Sequence, residues 1–186
     1  MAYGTLEVFC GPMFAGKSSA VVRHASLAVR AEGIRTLVIK PAFDTRYGEA
    51  RVATHDGLWV PALAVASWPE IPEAIELVII DECQFMCPPA FDGDLIAGVK
   101  ALLSRGTHVI AAGLDADWHG DAFDVTARLM AMADTVTKLR AVCAVCGERN
   151  ATKNHKKVRN GKVVELGASD MYEARCPEHW TAPGQS

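Results

Sequence analysis

The stretch Gly11-Pro-Met-Phe-Ala-Gly-Lys-Ser18 restricts the fold more than any other. It fits G-x-x-x-x-G-K-[ST] and lies between a strand-like run, Thr5 to Cys10, and a helix-length pattern, Ser18 to Ala31. A loop that turns at Gly11 and Gly16 directs backbone N–H groups inward. The helix behind it offers the positive end of its dipole to a polyphosphate. Lys17 is then placed to reach β- and γ-phosphates and Ser18 to ligate Mg²⁺. A glycine-rich turn that binds nothing is the plain alternative, and the strand before and helix after argue against it.

The rest of the first 140 residues repeats that strand and helix grammar. Val21, Val22, Ala25, Leu27, Ala28 and Val29 make an apolar helix that Gly33 can end. Thr36 to Lys40, Leu77 to Ile80 and Thr107 to Asp115 read as buried strands, and Ile96 to Leu103 and Val125 to Ala133 as helices, the latter followed by a strand ending at Cys143. Asp44 through Gly57 reads as one long loop. The alternation predicts an α/β fold, a doubly wound and mainly parallel sheet with ligands at the carboxyl ends of its strands.

Near residue 140 the pattern changes, which divides the chain into a nucleotide-binding domain over 1–140 and a small β-rich module over 141–186. Cys143-Ala-Val-Cys146 and Cys176-Pro-Glu-His179 are a C-x₂-C and a C-x₂-H. Three thiolates and an imidazole at that spacing predict a closed structural zinc site, which would staple a module too small for its own core. A redox C-x-x-C is disfavoured, because the motif does not open a helix after a strand. Between the pairs, Lys156 to Leu166 reads as two short strands around an Asn160-Gly161 turn. The basic cluster there, Lys153, His155, Lys156, Lys157, Arg159 and Lys162, reads as a solvated hairpin without the aromatic interleaving of a nucleic-acid surface.

Composition sets the outer limits. Of 186 residues, 50% are hydrophobic, enough for one buried core with an appended module. The apolar runs are too short to span a bilayer and no secretory signal opens the chain, so a cytoplasmic location is expected, without a membrane partner. Six cysteines in that setting are thiols or metal ligands rather than a disulfide framework, and a net charge of −3 supplies no general attraction to nucleic acid.

Asp81-Glu82 closes an all-apolar strand, where a buried parallel strand presents polar groups to a ligand. Asp81 can hold Mg²⁺, while Glu82 faces the nucleophile and takes its proton if that nucleophile is an alcohol. With water as nucleophile the same pair makes an ATPase, and Glu82 as a mere cap on the next element is the bland reading. Arg46 is a candidate clamp for phosphoryl oxygens or a plain surface arginine. Trp118 and Phe123 either wall a base pocket or fill core.

Taken together these motifs resemble the thymidine kinase family of the type shared by many bacteria and the animal cytosol. The likeness runs from about Leu6 to His179. It is carried by the loop Gly11 to Ser18, Asp44-Thr-Arg-Tyr47, Thr54-His-Asp56, Asp81-Glu-Cys-Gln-Phe85, Leu114-Asp115 to Phe123, and Gly167 to Tyr172. The resemblance implies a kinase moving the γ-phosphoryl group of ATP to the 5′-hydroxyl of thymidine, and of deoxyuridine, with Glu82 as proton acceptor. It assigns Gly11, Pro12, Met13, Phe14, Ala15, Gly16, Lys17, Ser18, Asp44, Thr45, Arg46, Asp81, Glu82, Cys83 and Gln84 to the phosphate donor. Phe85, Leu114, Trp118, Phe123, Thr152, Val163, Val164, Glu165, Leu166, Gly167 and Tyr172 fall to the nucleoside, the last six in a flap that leaves the zinc module. It further implies a homotetramer inhibited by the triphosphate end product.

Cys83 stands where the family usually has Gly or Ala, Trp118 where Phe is common, and His179 in place of a fourth cysteine. The rival from another class is a nucleic-acid-stimulated ATPase or an ATP-switched binding module. A related kinase for a different nucleoside is the nearer alternative.

Overall fold

The computed structural model describes residues 2–30, 33–44, 50–54, 56–157 and 171–182. Its centre is a six-stranded, all-parallel sheet built from β1 (Leu6–Cys10), β2 (Thr36–Pro41), β5 (Leu63–Val65), β6 (Leu77–Ile80), β7 (His108–Gly113) and β8 (Thr135–Lys138), in the order β5-β2-β6-β7-β1-β8. Side chains alternate across these strands, so the sheet separates two cores. Leu6, Val8, Cys10, Val78 and Ile80 face one way, packed with α2 (Leu95–Ser104) and α3 (Asp124–Met132) through Val99, Leu102, Val125 and Leu129. Phe9, Leu77, Ile79 and Ile110 face the other, against α1 (Lys17–Arg30).

Helix α1 buries Val21, Val22, Ala25 and Ala28, the spacing that gives a helix one apolar stripe. Helix α2 begins where Asp94 accepts the Ala97 N–H at 3.0 Å, a side-chain cap for an otherwise orphaned donor. Each fully buried Leu or Val in these faces stabilises the fold by about 1.5–3 kcal/mol before chain entropy is set against it.

Two expectations require correction. The stretch from Asp44 to Gly57 is not all loop: β3 (Arg51–Ala53) and β4 (Trp59–Pro61) form an antiparallel hairpin that lays Val52 and Val60 against the α1 side of the sheet. Strand β8 ends at Lys138 rather than Cys143, because its partner β1 ends at Cys10, the residue opposite Lys138. The chain then leaves the sheet, and Cys143 belongs to the following module.

That module holds β9 (Lys153–Lys156) paired antiparallel with β10 (Tyr172–Arg175). The Asn160-Gly161 turn and the strand pattern at Val163 to Leu166 lie outside the described residues. A third buried cluster of Ala141, Cys143, Ala151, Ala174 and Cys176 also includes Ala15, so the module packs on the glycine-bounded loop. No described helix is long and apolar enough to cross a membrane.

Candidate active site

Because every strand of the sheet is parallel, all carboxyl ends share one edge. The loops after β1, β2, β6 and β7 therefore meet there. After β1, Gly11 has φ 135°, and a Cβ at that position would run into the Leu139 carbonyl, so both conformation and space demand glycine. Phe14 also has positive φ, at 63°. Lys17 Nζ donates to the carbonyls of Pro12 at 2.6 Å and Gly11 at 3.2 Å, which holds its charge over the concave side of the loop.

Ser18 Oγ donates to Asp81 Oδ2 at 3.1 Å and so ties the start of α1 to the end of β6. Burial pushes the Asp81 carboxyl up to about 7, and the neighbouring Glu82 charge adds to the rise. The Ser18 hydroxyl, the Glu82 amide and Lys17 work against it. The Ser18 hydroxyl and the Asp81 carboxyl would together offer a hard cation two oxygen donors, a pair that fits Mg²⁺.

Glu82 departs from the strand in the left-handed region, φ 52° and ψ 39°, a conformation that non-glycine residues adopt chiefly where the surroundings impose it. Gln84, buried to 1% exposure, donates from Nε2 to Glu82 Oε2 at 2.6 Å and accepts the Leu114 N–H on Oε1 at 3.0 Å. One carboxamide thus orients the acid and fixes the loop after β7. Cys83 is fully buried beside Thr126, 3.8 Å from its hydroxyl, and burial pushes its thiol up to about 12. Its side chain packs in the core shared with α2 and α3. Asp44, assigned to the donor side, is 5% exposed at the end of the turn after β2.

On the other flank, Phe85 packs edge-on against Phe123 at 6.2 Å and Phe43 at 5.1 Å. Leu114 is half-buried, and Thr152 donates its N–H to the Arg175 carbonyl just before β9. Trp118 sits on a tight hairpin in which Asp117 Oδ1 accepts the His119 and Asp121 N–H groups. The Trp118 indole N–H is buried with no acceptor among the described residues. Trp118 and Tyr172 converge on Lys156, whose ammonium lies 5.8 Å from each ring. Lys156 is 2% exposed, so the solvated-hairpin reading of the basic cluster fails at this residue. Thr45, Arg46, Val163, Val164, Glu165, Leu166 and Gly167 lie outside the described residues.

The four proposed metal ligands do come together. One donor atom from each of Cys143, Cys146, Cys176 and His179 lies within 4.8 Å of the other three. His179 Nδ1 is 3.0 Å from Cys176 Sγ and 3.9 Å from Cys143 Sγ, around the roughly 3.5 Å that tetrahedral zinc imposes between nitrogen and sulfur ligands. Burial opposes the Cys143 thiolate, yet amide hydrogen bonds from Cys146, Cys176 and Val145 prevail and lower its pKa to about 6. The donor set fits structural zinc.

Phe43 and Asn154 escaped sequence reasoning, as did the burial of Lys156. Phe43 directly precedes the Asp44 motif and could have been suspected from that neighbour. Lys156 and Asn154 sit in a stretch polar enough to pass for surface, with no local signal of burial.

A parallel α/β sheet whose carboxyl edge joins a glycine-bounded loop to two adjacent acids is the setting expected of a phosphoryl-transfer enzyme. The family model for thymidine kinase matches residues 4–180, and the chain belongs to that family. It is therefore an ATP-dependent phosphotransferase with a nucleoside kinase role.

Proposed function

We propose that this enzyme transfers the γ-phosphoryl group of ATP to the 5′-hydroxyl of thymidine, with deoxyuridine as a second acceptor, in the cytoplasm and as a homotetramer. The observation that carries the reading is the five-residue segment Asp81 to Phe85, which touches both halves of the reaction. Asp81 meets Ser18 of the anion loop, Glu82 is aimed by Gln84, and Phe85 packs on Phe123.

In this reading the amides of the Gly11 to Ser18 loop, other than that of Met13, which is donated to Asn154, bind the polyphosphate, and Lys17 turns from the Pro12 carbonyl to the β- and γ-phosphoryl oxygens. Ser18 and Asp81 would hold Mg²⁺, which would neutralise charge on the phosphoryl oxygens. Asp44, Thr45 and Arg46 flank the donor, Arg46 with a planar, permanently charged fork suited to the transferring group. Phe85, Leu114, Trp118, Phe123, Thr152 and Tyr172 wall the nucleoside, and the family resemblance assigns Val163 to Gly167, which lie outside the described residues, to the base. The indole N–H of Trp118, without an acceptor among the described residues, is a donor that the closed complex must satisfy. Glu82 accepts the 5′-hydroxyl proton as the oxygen attacks phosphorus. Exclusion of water from the transferring group would favour the alcohol over hydrolysis.

Incubation of the pure protein with ATP, Mg²⁺ and each deoxynucleoside in turn tests this. The expected product is thymidine 5′-monophosphate, with deoxyuridine second. Equal or better turnover of a purine nucleoside or deoxycytidine overturns the assignment of substrate.

A further inference from the structure

Asn154 touches both flanks of the cleft with its side chain. It lies in β9 opposite Ala174 of β10 and is 5% exposed. Its Oδ1 accepts the backbone N–H of Met13, in the middle of the anion loop, at 2.8 Å. Its Nδ2 donates to the Ala116 carbonyl, at the root of the hairpin carrying Trp118, also at 2.8 Å. Its own carbonyl accepts the Trp180 indole N–H at 2.9 Å. Trp180 in turn packs so closely on that hairpin that a Cβ on Gly120 would stand 3.1 Å from its ring.

These contacts orient the carboxamide without ambiguity, because an amide N–H must meet its oxygen and a carbonyl must meet its nitrogen. They also span large gaps in the chain: Met13 is 141 residues from Asn154, and Ala116 is 38. From these contacts we infer that Asn154 is a positioning residue, a side chain on the Cys3His module that sets the distance between the phosphate loop and the nucleoside wall. One loop amide is thereby committed to protein rather than phosphate, which fixes the orientation of its neighbours. Misplacement of reacting groups by about 1 Å can cost about 10²-fold in rate, so such a strut has leverage on catalysis without touching substrate.

The inference rests on the donor and acceptor assignments above, and two variants separate its halves. Asn154→Asp keeps an acceptor for Met13 but turns a lone pair toward the Ala116 carbonyl. It should hold the KM for ATP within about threefold and raise the KM for the nucleoside about tenfold. Asn154→Val removes both contacts and should raise both KM values and lower kcat, for a combined loss in kcat/KM on the order of 10²-fold. Zinc content and melting temperature of each variant report whether the module is intact.

Hydrogen exchange at the Met13 amide of the unmodified enzyme, free of nucleotide and nucleoside, provides a measurement that no variant's misfolding can spoil. It also holds or fails whatever the acceptor proves to be. Protection of that amide, lost at least tenfold in Asn154→Val or on stripping the metal, supports the strut. An unprotected Met13 amide in the unmodified enzyme overturns it. So do KM values that move together in Asn154→Asp, or kinetics within twofold of the unmodified enzyme in Asn154→Val.

Discussion

The Gln84 carboxamide donates to Glu82 Oε2 at 2.6 Å, so the residue proposed as the proton acceptor is aimed by a neighbour two positions along the same turn. Glu82→Gln should keep the size and the contact while removing the basicity. Nucleotide affinity in a direct titration should stay within about threefold, while turnover should fall at least about 10²-fold. Turnover near that of the unmodified enzyme removes Glu82 from the role.

Gln84→Leu conserves volume but leaves the Leu114 N–H without its acceptor and Glu82 without its donor. An abandoned buried partner costs about 1–3 kcal/mol, so the melting temperature should drop by several degrees. The loss in kcat/KM should exceed what partial unfolding explains, roughly tenfold at a temperature where the variant is fully folded. A fold-matched variant with unchanged kcat/KM contradicts the orienting role.

Gly113, the last residue of β7, is where the core meets this turn. A Cβ there would stand 2.5 Å from Cys83 Sγ and 2.7 Å from Gln84 Oε1. Gly113→Ala should therefore destabilise by about 1–3 kcal/mol in urea unfolding. Adding Cys83→Ala should recover part of that loss, since it removes one of the two colliding atoms, and the pair should be less than additive. Strict additivity argues that Cys83 and Gly113 do not touch.

The Cys3His cluster predicts one zinc per chain by elemental analysis. Chelation should lower the melting temperature, because binding energy at a structural site is folding energy. His179→Cys should keep the metal, since zinc accepts four thiolates, whereas His179→Ala should weaken it markedly. Full zinc retention in Cys176→Ser together with Cys143→Ser rules out this site.

Much of this architecture was legible in the sequence because its signals are local. The glycine spacing of 11–18 announces the loop, runs such as Leu77 to Ile80 announce buried parallel strands, and paired C-x₂-C and C-x₂-H motifs announce a cluster that could hold a metal. Misreadings arose where structure depends on a distant partner. Strand β8 stops at Lys138 because β1 stops at Cys10, a limit that the apolar residues after Lys138 conceal. Strands β3 and β4 are three residues each, too short for alternation to show. Asn154 and Lys156 are buried by the anion loop, the Trp118 hairpin and Tyr172, so a polar strand sits where composition expects solvent.

The central claim, that an alcohol rather than water attacks ATP at this site, is tested most directly by stoichiometry. With thymidine in excess, the account predicts one thymidine 5′-monophosphate for each ADP, little ADP without nucleoside, and no stimulation by polynucleotide. ADP released without phosphorylated nucleoside, or ADP formation driven by polynucleotide, would contradict it.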